Sequence, residues 1–391
     1  MRPLSRVPLA WLNLTHQKRR LFVSLAGVAF AVVLMFMELG FWNALLDGVV
    51  ALIQAFNADL VLVNKEKYAL NVNEPFPRER LYQALAVAGV RAVYPIYLET
   101  RLSFWKNPNA SDPDQSNIWP IRVVAFDLSD PALRIPGIEA YLPQLRLPDT
   151  TLIDVKSKRY FGKRAPDIRR ELTRRSIRVV GTFSLGTDFS INGNLLMSDG
   201  NFARYFPDPT GSSVLGKVEI GLIRIDPDAD RRTIRRTLQQ ALPVDVVVFT
   251  KEEYADKEKQ FWQNATPVGF VFGLGLAMGF VVGVIICYQI LSADIGDHLP
   301  EFATLKAIGY SNFYLTGVVL QEAVFLAVLG FLPGLLISSL LYAWLGQSTG
   351  LPLRLTLGRG GSVLVLTIVM CMCSGLLAVR KVHKADPAEV F

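Results

Sequence analysis

The polar middle of this chain contains no cysteine. All three cysteines, Cys287, Cys371 and Cys373, lie in apolar stretches, so the middle is held by packing and not by disulfides. Histidine is equally scarce. His16, His298 and His383 stand singly, with no cysteine or second histidine beside them, which argues against a zinc set. There is no G-x-S-x-G elbow and no H-E-x-x-H pair, so no hydrolase or zinc peptidase is legible. The nearest approach to a phosphate-binding loop is Gly211-Ser-Ser-Val-Leu-Gly216-Lys217-Val218. Val218 lacks the hydroxyl that would bind magnesium, and the run after it reads as a strand where such a loop needs a helix. The plain expectation is a Gly-Ser turn entering a strand, with no catalytic residue, cofactor or metal in the chain.

What the chain has is apolar length. Hydrophobic residues make up 51% and charged residues 19%, a mixture of membrane and water-exposed parts. Leu21–Trp42, Pro267–Leu291, Phe313–Leu345 and Ser362–Val379 are apolar almost throughout. Each reaches or approaches the ~20 residues a helix needs to cross a bilayer. The expected fold class is therefore membrane α-helical, four transmembrane helices in a 1+3 arrangement, with a large α+β domain between helices 1 and 2.

Arg2, Arg6, Lys18, Arg19 and Arg20 precede the first segment, and Arg380, Lys381 and Lys384 follow the last. The positive-inside rule places both termini in the cytoplasm. The reading is then a cytoplasmic amphipathic segment at 1–20, helix 1 at 21–46 and a periplasmic domain at 47–265 that ends in a stalk helix from about 251. Helix 2 follows at 266–292, a cytoplasmic segment at 293–312, helix 3 at 313–346, a periplasmic loop at 347–361, helix 4 at 362–380 and a cytoplasmic tail at 381–391. Arg19-Arg20 resembles a twin-arginine signal, but the apolar run is too long and no cleavage site closes it. Helix 1 is expected to stay.

Within 47–265 the signals alternate. Strands are expected at 58–63, 91–105, 121–126, 217–225 and 244–249, and helices at 77–88, 199–206 and 227–242, with Ser198 capping the second. Strands 177–183 and 195–197 are read as a hairpin across Asn192-Gly193. The domain is expected as two subdomains, with Lys106–Asn117 a surface loop and its first and last strands close together. Strong helix formers from Lys251 run into the second apolar segment, so helix 2 is expected to extend outward as a rigid stalk.

Four features are candidates for function. Residues 141–178 hold eleven Arg and Lys against four Asp and Glu; the plain reading is a solvated face. The sharper one is docking of an acidic partner or anionic lipid through Arg169, Arg170, Arg174 and Arg175. Nucleic acid is not expected there. Gly275, Gly279 and Gly283 line one face of helix 2 and predict close helix packing, within the chain or across a dimer. Glu322, deep in helix 3, is expected to face protein or water. Finally, the segment between helices 2 and 3 is acidic and ignores the charge rule. Phe302, Leu305 and Ile308 recur there at helical spacing.

That segment, Asp297-His-Leu-Pro-Glu301-Phe-Ala-Thr-Leu-Lys306-Ala-Ile-Gly309-Tyr310, resembles the coupling motif of the MacB/FtsX-like permeases of ABC systems, without its leading basic residue. Arg380-Lys381-Val-His-Lys-Ala-Asp386-Pro387-Ala-Glu389 resembles the family's terminal motif, and Leu242–Glu253 its strand-to-stalk passage. Pro8–Leu14, Leu25–Phe30, Leu34–Phe41 and Val180–Phe189 are similar, more narrowly, to the DevC-type permeases of cyanobacterial glycolipid exporters. The resemblance implies a homodimer in the inner membrane that exports a glycolipid or other amphiphile. It implies a separate cytoplasmic ABC ATPase of DevA type, a periplasmic adaptor of DevB type and a TolC-like outer-membrane channel. ATP-driven motion would pass through Glu301, Phe302, Leu305, Lys306, Ile308 and Gly309. The rival from another class is a membrane-anchored sensor, which should carry a signalling domain; only about ten residues follow helix 4. A membrane enzyme ranks third.

Overall fold

The computed structural model describes residues 18–107, 117–188, 190–209, 211–265, 267–349 and 353–384. The basic stretch 1–17, most of the polar loop after Lys106 and the terminal motif at Asp386–Glu389 lie outside the described residues. In chain order the elements are α1 (Lys18–Val49), α2 (Ala51–Ala55), β1 (Leu60–Asn64), β2 (Phe76–Pro77), α3 (Glu79–Leu85), β3 (Val90–Glu99), β4 (Phe104–Lys106), β5 (Ile118–Pro120) and β6 (Arg122–Phe126). Then come α4 (Leu142–Leu145), β7 (Thr150–Asp154), β8 (Ile168–Leu172), β9 (Arg175–Phe183), β10 (Asn194–Ser198), α5 (Asp199–Tyr205), β11 (Lys217–Val218), β12 (Ile220–Ile225), α6 (Arg231–Ala241) and β13 (Val246–Thr250). The chain ends with α7 (Lys251–Asn264), α8 (Pro267–Asp297), α9 (Leu299–Ala307), α10 (Asn312–Thr349) and α11 (Leu357–Lys384). Among the described residues, four helices have spans long and apolar enough to cross a membrane: Leu21–Val49, Pro267–Asp297, Asn312–Gly346 and Leu357–Arg380. The α+β domain lies between the first and second of them, and the protein is a multi-pass membrane protein. Two compact units result, one holding Ala44–Pro267 with Thr349–Pro352 and the other the membrane helices, with the division between Asn43 and Ala44 falling inside α1.

The α+β unit is organised by one eleven-stranded sheet in the order β13-β1-β12-β3-β6-β10-β7-β9-β8-β4-β5. Two subdomains were expected, but the sheet is continuous. Its central strands are apolar on both faces because both faces are covered. Leu60 and Leu62 of β1 join one core with Tyr97, while Val61 and Val63 join another with Ile96 and Leu98. The first and last strands do meet, since β1 pairs antiparallel with β13 from Leu60↔Thr250 to Asn64↔Val246. The expected hairpin of β9 and β10 is not formed. β7 lies between them, antiparallel to β10 and parallel to β9. A buried polar network outweighs the turn signal. Asn194 donates to Asp154 at 2.8 Å and accepts from Arg122 at 2.9 Å, and Arg122 pairs with Asp188 at 2.9 Å. Leaving any of these groups unpaired inside the unit costs more than a favourable turn contributes.

Local signals explain most helix ends. Ser198 accepts from Asn201 N, Asp230 from Thr233 N, and Thr250 with Glu253 forms a full capping box. α3 starts at Glu79 instead of Pro77, because Pro77 is taken into the short pairing of β2 with β11. The expected unbroken stalk is two helices. α7 ends at Asn264 and α8 starts at Pro267, where proline has no N–H to continue the ladder and its ring crowds the preceding turn. Nor does α7 stand free of its own unit. Tyr254 and Glu258 are buried, Glu258 accepts from Leu70 N at 2.8 Å and from Trp262 Nε1 at 3.0 Å, and Lys257 donates to Lys67 O at 2.8 Å.

In the membrane unit α1 is wrapped by glycine. A Cβ at Gly275 would meet the Glu38 carboxylate at 2.6 Å, at Gly279 Leu34 at 4.0 Å, and at Gly283 Ala31 at 3.1 Å together with Met370 of α11. The three-glycine ridge thus packs inside the chain, on Ala31, Leu34 and Glu38 of α1. A second ridge was not foreseen: Gly330 and Gly334 of α10 would each drive a Cβ to 2.6 Å from Val28 and Val32 of α1. Small residues on both neighbours let three helices approach closely where no hydrophobic effect drives them together.

Candidate coupling site

The segment between the second and third spans is a short helix, a tight turn and the start of α10. Proline in the first turn of α9 suits a position whose N–H is unbonded in any helix. Gly309 at φ +102° closes it, its N–H reaching Lys306 O at 2.9 Å while Tyr310 N reaches Leu305 O at 3.1 Å. This is the left-handed C-terminal stop that glycine adopts at least cost. Ser311 then opens α10, its hydroxyl accepting from Tyr314 N at 3.3 Å.

The six residues read as coupling elements divide. Phe302, 3% exposed, and Ala303 are buried in the membrane unit, with Leu305 packed beside them. These anchor α9. Phe302 is turned into the core of that unit, and Leu305 is half-buried at its edge. Glu301 and Gly309 are exposed, Lys306 is half-buried and Ile308 is 71% exposed. Beyond them Tyr310 stacks on Tyr314 at 4.8 Å, and Phe313 is 88% exposed. Ile308, Tyr310 and Phe313 form an uncovered apolar turn. Ile308 is among the residues expected from sequence, whereas Phe313 falls in the segment expected as a membrane span.

Glu322 is buried in the membrane unit at 1% exposure, as its cost in lipid requires. The four arginines of the basic segment do not form one surface. They sit on the β8–β9 hairpin, whose two-residue turn, Thr173 and Arg174, has φ of +48° and +66°. Arg175 lies over the Tyr205 ring at 5.6 Å, and Arg170 is opposite Ile177. Arg169 is paired instead with Arg178, which the reading did not single out. Like charges directly opposite each other on a sheet repel.

Residues 269–387 match the family described as FtsX-like permease C-terminal. That match takes in the last three spans and the turn just described. Curated protein sequences give no match. Among solved structures, the periplasmic region of MacB from Actinobacillus actinomycetemcomitans is similar at 13% identity and a TM-score of 0.35, covering 54% of this chain and 95% of that one. The extracellular domain of the noncanonic ABC-type transporter YknZ from Gram-positive bacteria is similar at 10% identity and a TM-score of 0.32, covering 49% and 99%.

Proposed function

We propose that this chain is the permease subunit of a tripartite ABC exporter in a bacterial inner membrane. It takes up motion from a separate cytoplasmic ATPase of DevA type and delivers it to the α+β domain on the periplasmic side. There an adaptor of DevB type and a TolC-like channel complete the path for a glycolipid or related amphiphile. The observation that carries this reading is the uncovered turn Ile308–Phe313, held by anchors at Phe302 and Leu305, inside a region that matches FtsX-like permeases. An exposed apolar patch on a rigid mount fits a groove in a protein partner. The α8 face carrying Phe270, Leu274, Met278, Val281 and Ile285 is also uncovered, and it is the face on which a second copy would sit. Arg169, Arg170, Arg174 and Arg175 of the β8–β9 hairpin remain the candidates for an acidic surface of the adaptor.

The test is co-purification from native membranes. Ile308→Asp should reduce the ATPase recovered with the chain at least about ten-fold, because a charge is placed in the contact core. Insertion and yield should stay unchanged, since Ile308 is not packed. An unchanged ATPase yield with this variant would reject the coupling role.

A further inference from the structure

A cleft of about 280 Å³ opens in the α+β unit between the ends of β3 and β11 and the helix α5. Alternation builds its charged side. Tyr97 and Glu99 share one face of β3, and Lys217 and Glu219 flank Val218 on the adjoining strand, where Glu219 N bonds Ile96 O at 3.2 Å. The opposite wall is aromatic. Tyr97 lies 5.6 Å from Phe202, and Phe202 5.1 Å from Phe206.

The charges do not balance. Glu219, 4% exposed, is paired with Lys67 at 2.7 Å. Glu99, 6% exposed, accepts only backbone N–H groups, from Arg101 at 2.7 Å and Leu102 at 2.8 Å. Among the described residues no cationic side chain pairs with it. At the mouth Asp208 and Lys217 pair at 3.1 Å and cancel. The lining thus holds two buried carboxylates beside three rings, with the buried Lys67 paired to Glu219 and not itself lining the cleft. Burial raises the Glu219 pKa, Lys67 and the Glu74 N–H pull it down, and the Glu99 charge adds the smallest raising contribution; a second cation beside Glu99 would relieve that repulsion. An anionic ligand would add to the repulsion, and a neutral one would leave it unrelieved.

We propose that this cleft is a binding site for a primary ammonium or guanidinium group carried on a short apolar stem, with Glu99 as its counter-ion and Tyr97, Phe202 and Phe206 as its wall. Rings attract a cation at their faces, and a buried carboxylate fixes its position. The volume is near the lower limit of small-molecule sites, so it takes a head group or one side chain and not a whole amphiphile. The cation can come from a small amine or from a lysine of a protein partner. The inference stands apart from the exporter reading, since it needs neither ATPase nor adaptor.

The experiment is calorimetry on the full chain in nanodiscs with phenethylamine as probe. The neutral 2-phenylethanol and the anionic phenylacetate are controls, and N-acetyl-lysine methylamide represents a partner's side chain. Phenethylamine or the lysine derivative should bind at least about ten-fold more tightly than the alcohol. Whichever is tighter identifies the source. Glu99→Gln keeps an acceptor for both backbone N–H groups and should remove that preference. Equal binding of amine and alcohol, or an amine preference that survives Glu99→Gln, would overturn the proposal.

Discussion

Glu258 and Tyr254 are both buried on α7, but for different physical reasons. Glu258 uses both oxygens, one for Leu70 N and one for Trp262 Nε1, while burial raises its pKa above the ordinary 4.5. A carboxyl with a raised folded pKa holds its proton more tightly in the native state. Its contribution to stability is present below 4.5 and is lost as pH rises through the folded value. Thermal melting of the wild type should therefore fall with pH across that window, and Glu258→Gln should show a shallower slope. Glu219, raised in the same direction, keeps the slope from vanishing. An unaltered slope would mean that Glu258 does not titrate there. The Tyr254 hydroxyl is buried with no hydrogen-bond partner among the described residues. Tyr254→Phe should then stabilise by roughly 1 kcal/mol, because a desolvated hydroxyl without a partner costs about that much. A lower melting temperature would show that the hydroxyl is satisfied.

At the scale of elements, the four spans were legible because lipid imposes a length and a composition that no soluble helix needs. So were the caps at Ser198 and the meeting of the first and last strands. The order of β7, β9 and β10 was not, because Asn192-Gly193 is a local signal whereas Asp154, Arg122, Asp188 and Asn194 act across the sheet. The second glycine ridge was hidden for another reason. Gly330 and Gly334 enclose Pro333 in an apolar run, and nothing local says which helix faces them. Of the coupling site, the helix was legible and its orientation was not, since Phe302 and Ile308 are equally apolar but only one finds a core. Gly283→Leu and Gly334→Leu should each destabilise the membrane unit by about 1–3 kcal/mol, as overpacking does. Gly273→Leu, where a Cβ meets nothing within 4 Å, should be tolerated, and equal loss in all three would contradict the packing. Cys287 of α8 and Cys371 of α11 lie 3.6 Å apart at sulfur. A membrane-permeant oxidant should join them within one chain, visible as a mobility shift that Cys371→Ser abolishes. Absence of the shift would count against the packing of these helices.

For the whole molecule, what matters is how motion would leave the membrane helices. α7 and α8 are separate helices, whereas α1 runs unbroken through the division at Asn43 and Ala44. A continuous helix transmits displacement along its axis. The exporter account therefore assigns transmission to α1, which two glycine ridges grip from α8 and α10. The direct measurement inserts Gly-Ser-Gly-Ser between Asn43 and Ala44 in the only copy of the gene. It then quantifies in the culture medium the compounds whose release is lost in a deletion strain. The account predicts that the insertion matches the deletion in release while insertion into the membrane, melting of the α+β unit and ATPase co-purification remain normal. Wild-type release from that strain would contradict it.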